Sequence, residues 1–534
     1  MAELNARHNP ASMPDPSTRT AVRGTPPGAR HFDVPALFTL PALDGADGRP
    51  GAPGIAATRT AAPAPLRIVH LDTPDLRLTR AGVTLQHSSG RDARARWTVT
   101  VPSLAAPVIE THVGAQAQIP TPVLDLLTPW LRGADVAPVA TLRAERRAHS
   151  LLDVEGNVVG EVFDDTVSVI DGRRVMARSR ELVLVPADRA TEPVDAELLE
   201  AVVTRLAEAG ATPNDGAQDA VLRALGPRAT ASDDIPATGR VRPTDPAAAV
   251  VAHALRSGAS KLRIADSAVR RDLPDGVHQM RVACRRMRSD LKTFAALVDH
   301  TWAERIRNEL SWLAGSLGAA RDLEVQRGRL ADVASADPLA PLDPGDLARL
   351  DTMLAAREDV ARKHVAKVLR SKRYVAVVDL LVESAAWPRT TPAADAPASA
   401  VLPPLVLAAW ERLVRSVGKL DDHDPDDDWH RARIHAKRAR YAAEAVVPAL
   451  GARAGATAKA AAAIQEVLGD HQDAATAAAL VLDIAAAHAH DGDFCVTLGR
   501  LAERERAAVR RSRERMPAVW AATRPSKVVA WARP

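Results

Sequence analysis

Residues 277–288 read VHQMRVACRRMR and residues 429–440 read WHRARIHAKRAR, so two segments 152 residues apart carry nearly the same charged pattern. Both fit His-x-x-Arg-[Val/Ile]-x-x-[Arg/Lys]-Arg-x-Arg. His278 matches His430, Arg281 matches Arg433, Arg285 matches Lys437 and Arg288 matches Arg440. A second pair follows each copy: LGAARD from Leu317 and LGDHQD from Leu468. Two ordered matches at nearly one offset mark an internal duplication. The region must therefore fold as a helical unit built twice.

On a helix, at about 100° per residue, His278, Arg281, Arg285 and Arg288 fall within an arc of about 80° on one face. Val277, Met280, Ala283, Cys284, Met287, Leu291 and Phe294 take the opposite side. The second copy repeats the cationic arc with His430, Arg433, Lys437 and Arg440, and Ala432, Ala436 and Ala439 lie behind it. No carboxylate occurs between His278 and Arg288 or between His430 and Arg440. Like charges at i,i+4 destabilise a helix, so a polyanionic ligand is expected to offset the repulsion. The two faces are expected to oppose each other across a shared groove, with Arg286 and Arg438 on its flanks. Lys367, Arg370 and Lys419, in nearby basic stretches, are candidates for its rim.

Crowded arginines repel cations, and the spacing of His and Cys matches no metal-binding pattern, so no metal site is assigned to these helices. Aromatic residues make up only 3% of the chain and are scarce around both motifs. That weighs against nucleic acid, whose bases need stacking partners, and suits an anion without bases. The net charge is +4; the cation density is local, as a built site requires. Two cysteines, Cys284 and Cys495, provide no disulfide framework and fit a reducing cytoplasm. No run of about 20 apolar residues is present and the N-terminus lacks a signal pattern, so a cytoplasmic protein without a membrane partner is expected.

Residues 1–27 read as a disordered tail, rich in Pro, Thr, Ala and Arg. Residues 28–226 alternate as strands do, with Glu155-Gly156-Asn157 as a hairpin turn, and 192–225 reads as helix. A Pro/Thr/Gly/Asp-rich stretch at 227–246 reads as a linker. Residues 247–522 are helical, with halves at about 247–387 and 404–522. The fold class is therefore α+β and multidomain: an antiparallel β domain followed by an all-α bundle.

The paired basic motifs and their LG-x-x-x-D partners resemble the CHAD family over roughly residues 246–522. The resemblance implies a bundle of two pseudo-symmetric four-helix halves that binds inorganic polyphosphate in a central basic groove. Residues 30–228 resemble a CYTH domain, a β-barrel triphosphate tunnel that often precedes CHAD. The segment DTPDLRL…AGVTL carries most of that likeness. Much of the CYTH chemistry is missing. Pro27, Ala29 and His31 stand where the family has Glu-x-Glu-x-Lys, and Gln86-His87-Ser88 where it has Arg-x-Arg. Thr100 replaces a lysine, and Val183 and Val185 replace paired glutamates.

Arg143, Arg147, Glu161 and Asp165 remain, and two-residue strand periodicity suggests one shared face for them as a residual anion or metal site. A noncatalytic polyphosphate-binding protein is thus expected, associated with polyphosphate granules or regulated by the polymer, with no cofactor and no catalytic residue assigned. The alternative is a metal-dependent triphosphatase or polyphosphatase using Mg²⁺ or Mn²⁺ in the CYTH-like domain. The sequence leaves oligomeric state and preferred chain length open.

Overall fold

The structure is a computed structural model that describes residues 29–46, 48, 51–90, 95–103, 108–171, 174–187, 196–214, 220–337 and 339–533. The chain divides into two units, Met1–Asp234 and Ile235–Pro534. The tail read over 1–27, including Pro27, lies outside the described residues.

The first unit is built on ten antiparallel strands. They are β1 (Arg30–Val34), β2 (Ala57–Thr60), β3 (Ala64–Asp72), β4 (Thr84–Gly90), β5 (Arg96–Val101), β6 (Val108–Val113), β7 (Ala137–Leu152), β8 (Val158–Asp171), β9 (Arg174–Pro186) and β10 (Thr212–Asn214). They pair in the order β10-β1-β9-β8-β7-β3-β4-β5-β6, with β2 also on β7. Helices α1 (Arg77–Arg80), α2 (Thr121–Leu131), α3 (Ala196–Glu208) and α4 (Ala220–Leu225) occupy the connections.

Alternation decides what each face carries. In β5, Trp97, Val99 and Val101 are fully buried on one side, while Thr98 and Thr100 are buried on the other. The DTPDLRL segment proves to be a structural corner. The Asp72 carboxylate accepts the backbone N–H groups of Thr73, Leu78 and Thr79 at 2.7–2.9 Å, capping the short α1. The hairpin joining β7 and β8 closes through Gly156, at φ 82°, with its N–H on the Asp153 carbonyl. The helix read across 192–225 is interrupted. Gly210, at φ 100°, ends the α3 segment, and residues 212–214 pair with β1 as β10.

The second unit is helical: α5 (Ala247–Arg270), α6 (Gly276–Thr293), α7 (His300–Ser316), α8 (Gly318–Ser335), α9 (Pro344–Leu369), α10 (Lys372–Ala386), α11 (Ala398–Val417), α12 (Asp426–Leu450), α13 (Ala452–Ala487), α14 (Gly492–Ala522) and α15 (Pro525–Val528). The duplication is visible throughout. Helices α5 and α11 start on reciprocal backbone hydrogen bonds, Ala247 N–H to Ala396 O and Ala398 N–H to Asp245 O. The 36-residue α13 corresponds to α7 and α8, of 17 and 18 residues, which break at Leu317-Gly318.

Apolar faces face inward as the helical period requires. Met280, Cys284, Met287, Leu291 and Phe294 of α6 are at most 1% exposed, as are Ala432, Ala436, Ala439, Ala442 and Ala443 of α12. Small side chains let helices approach closely. At Gly258 of α5 an added Cβ would lie 2.3 Å from Cγ of Met287, so alanine there would displace the Met287 side chain from this contact.

Candidate functional site

The apolar face of α6 is buried in one hydrophobic cluster and Ala432, Ala436 and Ala439 of α12 in another, while Ala443 and Val446, further along α12, join the cluster of α6. The basic faces of the two helices come together beside them. The Lys437 ammonium lies among Arg433 of its own helix and Arg285 and Arg281 of the other. Arg285 Nε donates to the Tyr441 hydroxyl at 3.0 Å, a direct link between the two copies. Arg286 and Arg440 both donate to Glu444, at 2.8 and 2.7 Å. Arg286 thus bridges the two helices instead of lying free on a flank.

The LG-x-x-x-D motifs supply the carboxylates that the basic helices lack. Arg281 Nη1 donates to Asp322 at 2.7 Å and to the Gly318 carbonyl at 2.9 Å. In the other half Arg433 Nη2 donates to Asp473 at 3.1 Å. The Arg433 guanidinium packs over the motif glycine, where a Cβ at Gly469 would lie in ordinary contact, 3.8 Å from Nη2. His430 Nδ1 lies 2.6 Å from Gln472 Oε1, so that ring nitrogen carries the proton.

This compensation is incomplete. Nε of Arg288 and Nε of Arg433 are buried without a hydrogen-bond partner. Burial, then Arg433, Arg285 and Arg281, pushes the Lys437 ammonium down to about 7 from an ordinary lysine value, against Asp473, which raises it. Burial also lowers the His278 imidazole, and Arg321 and Arg285 add to this against Asp275 and Glu324. Nearby, burial raises the Asp290 carboxyl to about 7, with Glu444 adding to the rise and Arg286 and Lys261 opposing it. Lys367, Arg370 and Lys419 are exposed, at the end of α9 and just after α11, and take no part in the contacts above.

Tyr441, Glu444, Arg321 and Asp290 were not singled out from the sequence. Glu444 had a signal there, since it stands four residues after Arg440 on the same helix. Tyr441 had none.

In the sheet unit the four residues read as one face divide between two. Arg143 pairs with Ser168 and Arg147 with Asp164, whereas Glu161 pairs with Ser150 and Asp165 with Arg146. Directly paired residues share a face, so Arg143 and Arg147 lie opposite Glu161 and Asp165. Periodicity was sound within each strand; the register between strands overturned the grouping. Arg147 lines a cavity of about 900 Å³ with Glu145, Asp164, Thr166, Arg178 and Arg180. There Asp164 is already gripped by Arg180 at 2.9 and 2.7 Å.

The arginine that does share the face of Glu161 and Asp165 is Arg146. It holds the buried Asp165 carboxylate by two bonds, of 2.8 and 2.7 Å, and Glu181 and Glu161 add to its electrostatic stabilisation. Val183, 2% exposed, lies on this face too. Among the described residues, no group of three or more His, Cys, Asp or Glu is placed to hold a metal ion. No described helix is long and apolar enough to cross a membrane.

The family model for the CHAD domain matches residues 253–482. An uncharacterized protein of Mycobacterium tuberculosis is 31% identical over 527 residues, covering 92% of this chain and 96% of that protein. Among solved structures, PptA from Streptomyces chartreusis is similar at 26% identity and a TM-score of 0.45, covering 52% of this chain and 100% of that one. The CHAD domain from the plant Ricinus communis is similar at 26% identity and a TM-score of 0.38, covering 55% of this chain and 93% of that one.

Proposed function

Since residues 253–482 of this chain belong to the CHAD-domain family, we propose that the groove between α6 and α12 binds inorganic polyphosphate without hydrolysing it. The observation that carries this reading is the meeting of the two basic faces, where Arg285 of α6 donates to the Tyr441 hydroxyl of α12 at 3.0 Å and the Lys437 ammonium interacts with Arg433, Arg285 and Arg281, with Asp473 opposing them. Such convergence is unfavourable in the free protein, and a bound polyanion reverses its sign. Several guanidinium donors and few aromatics suit a flexible chain of phosphates. On this reading the protein serves as a polyphosphate receptor, at polyphosphate granules or in regulation by the polymer.

Binding should be pH-dependent in a defined direction. Lys437 and His278 both hold protons less tightly than usual in the free protein, and bound phosphate raises both, so binding takes up protons. Affinity for long-chain polyphosphate, measured calorimetrically, should fall by about tenfold from pH 6 to pH 8, the equivalent of a one-unit shift. Lys437→Met combined with His278→Gln should flatten the profile. A full pH effect in that double variant would place the titrating groups elsewhere.

The noncatalytic part of the proposal is supported by the engagement of Asp165 with Arg146, which competes with any cation for that carboxylate. Phosphate release from tripolyphosphate with Mg²⁺ or Mn²⁺ should stay below about 1 s⁻¹, the lower end of common turnover. Faster release, abolished by Glu161→Gln, would establish the triphosphatase reading instead.

A further inference from the structure

The approximate symmetry of the helical unit allows each half to serve as a control for the other. An offset of 151 residues relates α5 to α11, as their reciprocal starts at Ala247 and Ala398 show. An offset of 152 relates α6 to α12. Lys261 then corresponds to Arg412, Arg286 to Arg438, Asp290 to Ala442, and Lys292 to Glu444.

Around Arg286 the cations have carboxylate partners, and Glu444 takes Arg440 as well as Arg286. Arg286 donates to Glu444 at 2.8 Å, and Lys261 and Asp290 lie close enough to interact with both. In the mate neither Glu444 nor Asp290 has an acidic counterpart, and the carboxylate near Lys292, Glu304, is paired with Arg307. Lys292 takes the place of Glu444 opposite an arginine, Ala442 takes the place of Asp290, and Arg412 joins them. Three cations therefore stand where the other half has two cations and two carboxylates.

The electrostatics follow the geometry. Arg438 is the largest influence lowering the Lys292 ammonium, and Arg307 and Arg412 add to it against Glu304. Arg438 is itself lowered by burial, Arg412 and Arg307. Lys292 and Arg412 are exposed, so the cluster is open to solvent. Nε of Arg307 and Nδ1 of His435, at its edge, are buried without hydrogen-bond partners. The nearby carboxylates are engaged: Glu304 pairs with Arg307, and Glu411 lies 3.8 Å from Arg415. Among the described residues, Lys292, Arg412 and Arg438 have no ion-pair partner.

We propose that Lys292, Arg412 and Arg438 form a second binding site, for an inorganic phosphate oxyanion, present in one half of the duplicated unit and internally neutralised in the other. Two guanidinium groups and an ammonium offer a tetrahedral oxyanion directed and charge-assisted donors. The site does not depend on the groove reading. Its phosphate comes either from a free oligophosphate or from a stretch of a longer chain.

The test is calorimetric titration of the full chain with tripolyphosphate. Lys292→Glu rebuilds beside Arg438 the ion pair that Glu444 makes with Arg286, and should remove one tripolyphosphate equivalent while leaving the melting temperature equal or higher. Lys292→Ala should weaken the same site by about tenfold, the loss of one charged contact. The groove variant Arg285→Ala with Lys437→Ala should keep this equivalent and lose the other. If the site grips part of a longer chain, Lys292→Glu also weakens long-chain polyphosphate; if it takes a separate oligophosphate, only the tripolyphosphate equivalent is lost. Unchanged stoichiometry and affinity for tripolyphosphate in both Lys292 variants would overturn the proposal. Unchanged long-chain affinity in the groove variant would overturn the groove reading alone.

Discussion

Replacing Arg285 and Lys437 together with glutamate should weaken polyphosphate binding by about a thousandfold. Hydrogen bonds to charged groups contribute roughly 1.5–3 kcal/mol each, so losing two amounts to about 4 kcal/mol, and 1.4 kcal/mol corresponds to a factor of ten. The two new carboxylates add repulsion at the place where the two basic faces meet. Both side chains are partly solvent-accessible, and the substitution relieves cation crowding, so the helical unit should stay folded with an unchanged or higher melting temperature. Titration with long-chain polyphosphate measures the effect. A loss of less than tenfold in the folded variant would mean that the polymer binds elsewhere.

The second large effect is on stability, in the sheet unit. Arg146→Ala should destabilise the region around β7 and β8 by about 3 kcal/mol, the lower end of what breaking a buried ion pair costs. Asp165 is 1% exposed and would lose a two-bond partner at 2.8 and 2.7 Å. Hydrogen exchange of the β7 and β8 amides reports the local opening free energy without assuming that the two units unfold together. Adding Asp165→Asn should recover part of the loss, because the buried charge that Arg146 held is then gone. Unaltered exchange in Arg146→Ala would show that the pair is not structural.

The helical site was largely legible in the sequence, because a helix fixes which residues share a face. His278, Arg281, Arg285 and Arg288 needed only the 3.6-residue period, and the apolar residues behind them dictated which way the face points. The LG-x-x-x-D motifs were visible as repeats, but their role in pairing with Arg281 and Arg433 was not. That role depends on how α8 and α13 pack beside the basic helices. Nor does a residue name reveal that Lys437 holds its proton weakly; burial and three neighbours from two helices set that.

The sheet was less legible. Period two places Glu161 with Asp165 and Arg143 with Arg147, but the register between β7 and β8 decides whether the pairs coincide. In this hairpin odd-numbered β7 residues oppose even-numbered β8 residues, so Arg146, which the alternation pattern hid, is the partner of Asp165. The asymmetry between Glu444 and Lys292 lies four residues beyond the matched motif, where the likeness between the repeats had already ended.

The salt dependence of polyphosphate binding tests the central claim most directly. Each phosphate neutralised contributes a slope of about −0.7 in log K against log salt, by analogy with single-stranded nucleic acid. Arg285, Arg288 and Lys437 count fully. Arg281, Arg433 and Arg440 count in part, because Asp322, Asp473 and Glu444 already share their charge. About five neutralised phosphates give a slope of roughly −3 to −4. With long-chain polyphosphate between about 50 and 200 mM salt, that slope in the wild type and a clearly shallower one in the Arg285→Glu, Lys437→Glu variant are the expected results. A wild-type slope near −1, or one that the variant leaves unchanged, would contradict a groove lined by both repeats.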